Sequence, residues 1–227
     1  MKLEVLADAD AVARRGGERL AAASRAAVAA RGRFAVALSG GHTPWAMLRA
    51  LAGEDVPWRA VHVFQVDERI APAGDPERNL THLRESLARA PLPPEQIHAM
   101  PVEAADLEAA ARDYARELPE RLDLVHLGLG PDGHTASLVP GDPVLRVADR
   151  DVALTAQPYQ GRRRMTLTYP ALDRAREILW LVTGADKAAM LARLRDGDAS
   201  IPAGRVRSDG ALALVDRAAA SALEGAR

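Results

Sequence analysis

Two kinds of apolar pattern alternate along this chain. In one, apolar residues recur every three or four positions; in the other, four to six follow one another without a break. The first periodic stretch, Ala9–Arg31, carries Val12, Leu20, Ala23, Ala27 and Val28 and predicts a long helix started by Asp8 or Asp10. Phe34–Leu38 is then a continuous apolar run, as expected of a strand covered on both faces. A helix is expected over 45–52, with Thr43 as its cap and Pro44 at its first position. Further strands are expected over 61–66, 122–127, 152–156, 165–168, 178–183 and 211–215. Helices are expected over 78–88, 102–118, 186–195 and 216–223.

Strands alternating with helices predict an α/β fold with one mostly parallel sheet and helices on both faces. No linker divides the chain and no segment repeats, so residues 1–227 read as one domain. In open sheets of this kind ligands bind at the carboxyl ends of the strands. Here four polar, glycine-containing or charged segments, at 39–43, 67–69, 128–135 and 183–187, each follow an expected strand end.

Composition narrows the chemistry. Thirty basic and 31 acidic residues give a net charge of −1, which offers neither a footprint for nucleic acid nor a polybasic membrane anchor. The chain has no cysteine, so disulfides, thiolate nucleophiles, Cys-containing zinc sites and iron–sulfur clusters are excluded. No apolar stretch is long enough for a membrane span, and the charged N-terminus is unlike a signal peptide; a cytoplasmic setting is expected. All basic residues are arginine except Lys2 and Lys187. A lysine kept internally against such a bias has two readings, a role that arginine performs less well or chance.

Ser39-Gly40-Gly41-His42-Thr43-Pro44 joins a strand to a helix start. Glycines let backbone N–H groups approach an anion closely, and the helix dipole adds positive potential. The Ser39 and Thr43 hydroxyls could donate to phosphate oxygens, and His42 could touch a ligand. The alternative is a tight turn with an ordinary cap. Gly128-Leu129-Gly130-Pro131-Asp132-Gly133 matches the spacing of a dinucleotide-binding loop, yet Asp149 and Asp151 precede the next strand instead of ending it. The better reading is a loop exposing Asp132 and His134 just before a helix that begins near Thr135.

His134 is the expected proton-transfer group, because an imidazole with a pKa of about 6.5 both accepts and returns a proton near neutrality. Asp132 could orient it if the chain bends between them. Asp67-Glu68-Arg69 could be a solvated turn, or could present a guanidinium to an anion or oxyanion. Arg162-Arg163-Arg164 is a second cationic cluster of which most is expected to be solvated. Lys187, in the first turn of its helix, opposes the helix dipole unless an anion binds there. His62 and His126 read as strand residues, His82 and His98 as surface. No histidine–carboxylate spacing matches a metal site.

Taken together, these motifs resemble bacterial 6-phosphogluconolactonases in order and spacing. The residues carrying the likeness are Ser39-Gly40-Gly41 with Thr43-Pro44, Asp67-Glu68-Arg69, Gly128 and Gly130 with Asp132-Gly133-His134-Thr135-Ala136-Ser137-Leu138, Arg164 with Thr166-Leu167-Thr168, and Thr183-Gly184 with Lys187-Ala188. The chain departs from the family pattern at His42 and Arg78, where serine is common, at Val139, where phenylalanine is usual, and around 212–214, where a tryptophan is often found. Related glucosamine-6-phosphate deaminases share some of these elements but carry a different segment after the histidine, and Asp-Glu-Tyr in place of Asp67-Glu68-Arg69.

The resemblance implies a three-layer Rossmann-like sheet and hydrolysis of 6-phosphoglucono-δ-lactone, in the oxidative pentose phosphate pathway, without metal or cofactor. It implies His134, Asp132, Arg69 and Asp67 as the reacting end of the site. Ser39, Gly40, Gly41, His42, Thr43, Arg164 and Lys187 would hold the phosphate. The expected partner is a small sugar-phosphate lactone, with oligomeric state left open. The rival readings are an amino-sugar-phosphate deaminase and a sugar-phosphate sensor without chemistry.

Overall fold

The computed structural model describes residues 1–223. Seven strands form one sheet: β1 (Lys2–Leu6), β2 (Phe34–Leu38), β3 (Val61–Gln65), β5 (Ile97–His98), β6 (Leu124–Gly128), β9 (Glu177–Val182) and β10 (Leu212–Asp216). Their spatial order is β1-β10-β9-β6-β2-β3-β5, and every neighbouring pair is parallel. From β2 the chain builds outward to β3 and β5, then returns to lay β6, β9 and β10 on the other side. The strand order therefore reverses between β2 and β6, which opens a crevice at their carboxyl ends.

One face of the sheet is covered by α1 (Ala9–Arg31), α2 (His42–Leu51) and α3 (Asn79–Ser86). Val12, Leu20, Met47, Leu48 and Leu83 pack there against Val36, Leu38 and Val63. The sequence places both ends of α1 correctly: the Asp8 carboxylate accepts from Ala11 N at 2.8 Å, and Gly32, at φ +75°, closes the other end. On the opposite face lie α4 (Leu107–Glu117), α6 (Ala188–Arg195) and α7 (Arg217–Ala220), and a short helix α5 (Tyr169–Asp173) precedes β9. That face is shared with a second sheet. β4 (Asp67–Arg69), β8 (Arg164–Leu167) and β7 (Val152–Leu154) pair antiparallel and bury Met165, Leu167 and Val152 against Leu127 and Trp180.

The structure corrects several expectations. The strands expected at 152–156 and 165–168 exist but belong to the small sheet, and Asp67-Glu68-Arg69 is a strand of it instead of a strand-end turn. β1, a five-residue edge strand, and β5, a two-residue one at the opposite edge, were not anticipated. No helix begins at Thr135; a tight turn runs from there to Leu138, whose N donates to Thr135 O at 2.9 Å. α2 starts at His42, so Gly41 is its cap, Thr43 is the second helical residue and Pro44 the third. α4 starts at Leu107 under an Asp106 cap, five residues later than the apolar spacing indicates.

Candidate active site

A cleft of about 760 Å³ opens at the switch point, walled by the segments that follow β2, β3 and β6 together with β8 and Lys187. Ser39, Gly40, Gly41, His42, Asp67, Arg69, His134, Arg164 and Lys187 all line it. The geometry thus gathers nearly all the site residues expected from sequence. Two of them do not line it: Asp132, which reaches the cleft only through His134, and Thr43, whose hydroxyl sits 2.8 Å from that of Thr183 and joins two loops.

The bend between Asp132 and His134 is supplied by Gly133 at φ +82°. It lets Asp132 Oδ1 lie 2.5 Å from His134 Nδ1 and accept from His134 N at 3.1 Å. With Nδ1–H directed at a carboxylate, Nε2 carries the free lone pair. Burial on its own would raise the Asp132 pKa, but hydrogen bonds from His134 and Tyr159 and the adjacent imidazole outweigh it and hold the carboxyl below its ordinary value. The His134 ring lies flat against the backbone at Gly130. An added Cβ there would stand 2.7 Å from ring Cγ and closer still to Nδ1 and Cε1. This close approach accounts for Gly130, and the positive φ for Gly133, whereas a Cβ at Gly128 would meet nothing.

The opposite wall is built around Glu68, which is fully buried. Its carboxylate accepts from Gln65 Nε2, Arg69 N, Asn79 N and Leu80 N, all at 2.8 Å. Two of these donors are the first N–H groups of α3, so Glu68 caps that helix from a strand, replacing the absent side-chain cap at Arg78. Asn79, thus fixed, accepts from the Arg69 guanidinium and donates to Asp67 O at 2.9 Å and to Asp67 Oδ1 at 3.2 Å. Gly40 must be glycine, because a Cβ would meet Asn79 Cγ at 2.7 Å and Trp45 Cζ2 at 2.9 Å.

Asp67 borders the cleft, but its carboxylate is held by protein groups. Ser137 Oγ donates to it at 2.6 Å, and Arg164 Nη1 stands 3.8 Å away. Arg164 is the buried member of the arginine triplet, at 4% exposure, whereas Arg162 pairs with Asp75 and Glu77. Burial pulls the Arg164 pKa down while Asp67 pulls it back. Its Nε is buried without a hydrogen-bond partner. Lys187, whose amino group is 2.9 Å from Asp186, also lines the cleft, as do Arg49 and Arg162. Ser39 is held from below by His126, whose Nδ1 accepts from Ser39 N at 3.3 Å.

Glu68, Asn79, Tyr159 and Gln160 were not singled out in the sequence. Asn79, directly behind an expected helix boundary, was the one with a local signal. The others reach the site only through tertiary pairing.

Comparison with known proteins now decides the family. Residues 7–214 match the model of the family described as glucosamine-6-phosphate isomerases/6-phosphogluconolactonase. The chain belongs to that family. A Mycobacterium tuberculosis 6-phosphogluconolactonase is 39% identical over 241 aligned positions, covering 97% of this chain and 98% of the relative. The crystal structure of a 6-phosphogluconolactonase from Thermotoga maritima superposes with a TM-score of 0.85 at 28% identity, covering 95% and 98% of the two chains. A monomeric glucosamine-6-phosphate deaminase reaches a TM-score of 0.86 at only 19% identity, so the family's two branches share this fold. Fold alone does not separate them, and the side chains of the cleft must. Among the described residues no helix is long and apolar enough to cross a membrane.

Proposed function

We propose that this chain hydrolyses 6-phosphoglucono-δ-lactone to 6-phosphogluconate, and that residues 1–227 form one domain dedicated to that reaction. One observation carries the reading. The His134 imidazole, backed by Asp132, faces a cleft lined by five cationic side chains, Arg49, Arg69, Arg162, Arg164 and Lys187. The 39% identity to a 6-phosphogluconolactonase over nearly the full chain supports it, as does Arg69 in the place where the deaminases carry tyrosine.

In this reading the 6-phosphate lies against the 39–42 backbone, Arg164 and Lys187, with the helix dipole of α2 adding to the attraction. Fixing the phosphate sets the distance to C1 at the other end of the sugar. His134 Nε2 takes a proton from water as its oxygen attacks C1. The resulting oxyanion is met by Arg69 or by backbone N–H groups of the glycine loop. The tetrahedral intermediate collapses with cleavage of the bond from C1 to the ring oxygen. His134 returns its proton to that oxygen, leaving an open-chain carboxylate. Asp132 keeps the imidazole in the required tautomer and stabilises it while charged. Asp67 acts at one remove, by holding Arg164 and Asn79. No step needs a metal or a cofactor, and the setting is the cytoplasm, with a dissolved small molecule as the partner.

The test is a pair of assays on the purified chain. Fresh 6-phosphogluconolactone should be hydrolysed well above its spontaneous rate, and glucosamine 6-phosphate should release no ammonia. His134→Ala should lower lactone turnover by about 10²–10⁴-fold. Ammonia release, or full lactonase turnover without His134, would reject the reading.

A further inference from the structure

Tyr159 touches Asp132, His134 and Arg164 at once. It lies on a two-residue hairpin turn, since Gln160 and Gly161 both have left-handed backbones, at φ +52° and +82°. Tyr159 N donates to Arg162 O at 2.9 Å across that turn. Arg162 in turn donates from Nη2 to Asp75 at 2.9 Å and from Nε to Glu77 at 2.6 Å, fastening the turn to the loop on the far side of the cleft.

From this fixed point the Tyr159 hydroxyl donates to Asp132 Oδ2 at 3.1 Å, the oxygen that His134 does not use, and lies 3.2 Å from His134 Nδ1. Its ring meets the imidazole edge-on with centroids 5.0 Å apart. The ring also carries the Arg164 guanidinium above it, 5.2 Å from the centroid, and Arg164 Nη2 donates to Tyr159 O at 3.3 Å and to Gln160 Oε1 at 3.1 Å. A carboxylate held at one oxygen only can turn about its own axis. Gripped at both, Asp132 presents a fixed acceptor to Nδ1. The ring restrains the buried cation in the same way, by cation–π contact.

We propose that Tyr159 is a positioning residue for the hydrolysis: its hydroxyl orients the proton-transfer group through Asp132, and its ring orients the phosphate-binding cation Arg164. The inference rests on the lactonase reading above, and its two halves separate by substitution. Tyr159→Phe keeps the ring and removes the donor, so kcat should fall about tenfold with KM nearly unchanged. Tyr159→Leu removes both, so KM should rise as well. Because the hydroxyl works through Asp132, Tyr159→Phe should cost less than twofold in an Asp132→Asn background, where the single carboxylate it grips is gone.

Equal losses in both backgrounds, or a Tyr159→Phe enzyme with the kcat of the parent, would overturn the proposal. An unchanged KM in a folded Tyr159→Leu variant would remove the Arg164 half of it. Absence of lactonase turnover in the parent protein would instead refute the underlying reading, so the two failures are distinguishable.

Discussion

Replacing Gly130 by alanine tests the placement of the base without touching any group that reacts. An alanine Cβ would stand 2.7 Å from His134 Cγ, and nearer to Nδ1 and Cε1, where ordinary contacts lie at 3.4–4 Å. The ring must therefore withdraw by an amount on the order of 1 Å, enough to misplace a reacting group by about 10²-fold in rate. The withdrawal also breaks the 2.5 Å approach of Asp132 to Nδ1. The local backbone has no reason to change: Gly130 is not in a left-handed conformation, and its N still donates to His134 O at 2.8 Å. The expected result is a loss of kcat of roughly 10²–10³-fold, with KM little altered because the phosphate side is untouched. Lactone hydrolysis followed by acid release, against the spontaneous background, measures it; a thermal melt near that of the parent shows that the fold is kept. A Gly130→Ala enzyme within threefold of the parent in kcat would refute the geometry assigned to His134.

Two further predictions concern what holds the site together. His126 is fully buried and burial lowers its pKa to about 3. The unfolded chain takes up this proton below about pH 6.5 while the native state does not, so the stability is complete above that value and is lost as pH falls toward 3. From pH 8 to pH 5 this residue alone removes about 2 kcal/mol, visible in urea midpoints; a His126→Gln variant should lack that part of the decline, and an equally steep decline in it would contradict the assignment. Glu68→Gln turns one of two buried acceptor oxygens into a donor facing N–H groups. It should destabilise the protein by about 2–4 kcal/mol in urea unfolding and lower kcat by loosening Asn79 and Arg69, whereas a loss under about 1 kcal/mol would show that the capping role is overstated.

What was legible in the sequence follows from which interactions are local. The span of α1 was legible from its apolar spacing and an acidic start, and the structure settles that start on Asp8, which acts within one turn of it. The strands of the main sheet other than the two edge strands β1 and β5 announced themselves as apolar runs, since a parallel sheet is buried on both faces. β4 did not, because Asp67, Glu68 and Arg69 are polar residues made buryable by partners far along the chain: Ser137, Arg164 and Asn79. The turn at 135–138 read as a helix start because three residues after a histidine carry no periodicity to separate the two.

The site divides in the same way. Glycines and His134 were legible, since close approach and positive φ leave a mark on residue type at that very position. Tyr159 was not: nothing within its own turn tells that the hydroxyl reaches an aspartate 27 residues away. Thr43 was misassigned because a hydroxyl at a helix start has two uses, and only the presence of Thr183 across the gap decides which applies.

The crystal structure of the protein with bound 6-phosphogluconate tests the orientation of the sugar phosphate across this cleft most directly. The phosphorus should lie among Arg164, Lys187 and the 39–42 backbone, with the C1 carboxylate within hydrogen-bond distance of His134 Nε2. A product bound the other way round, with its phosphate at His134, or bound outside this cleft, would contradict it.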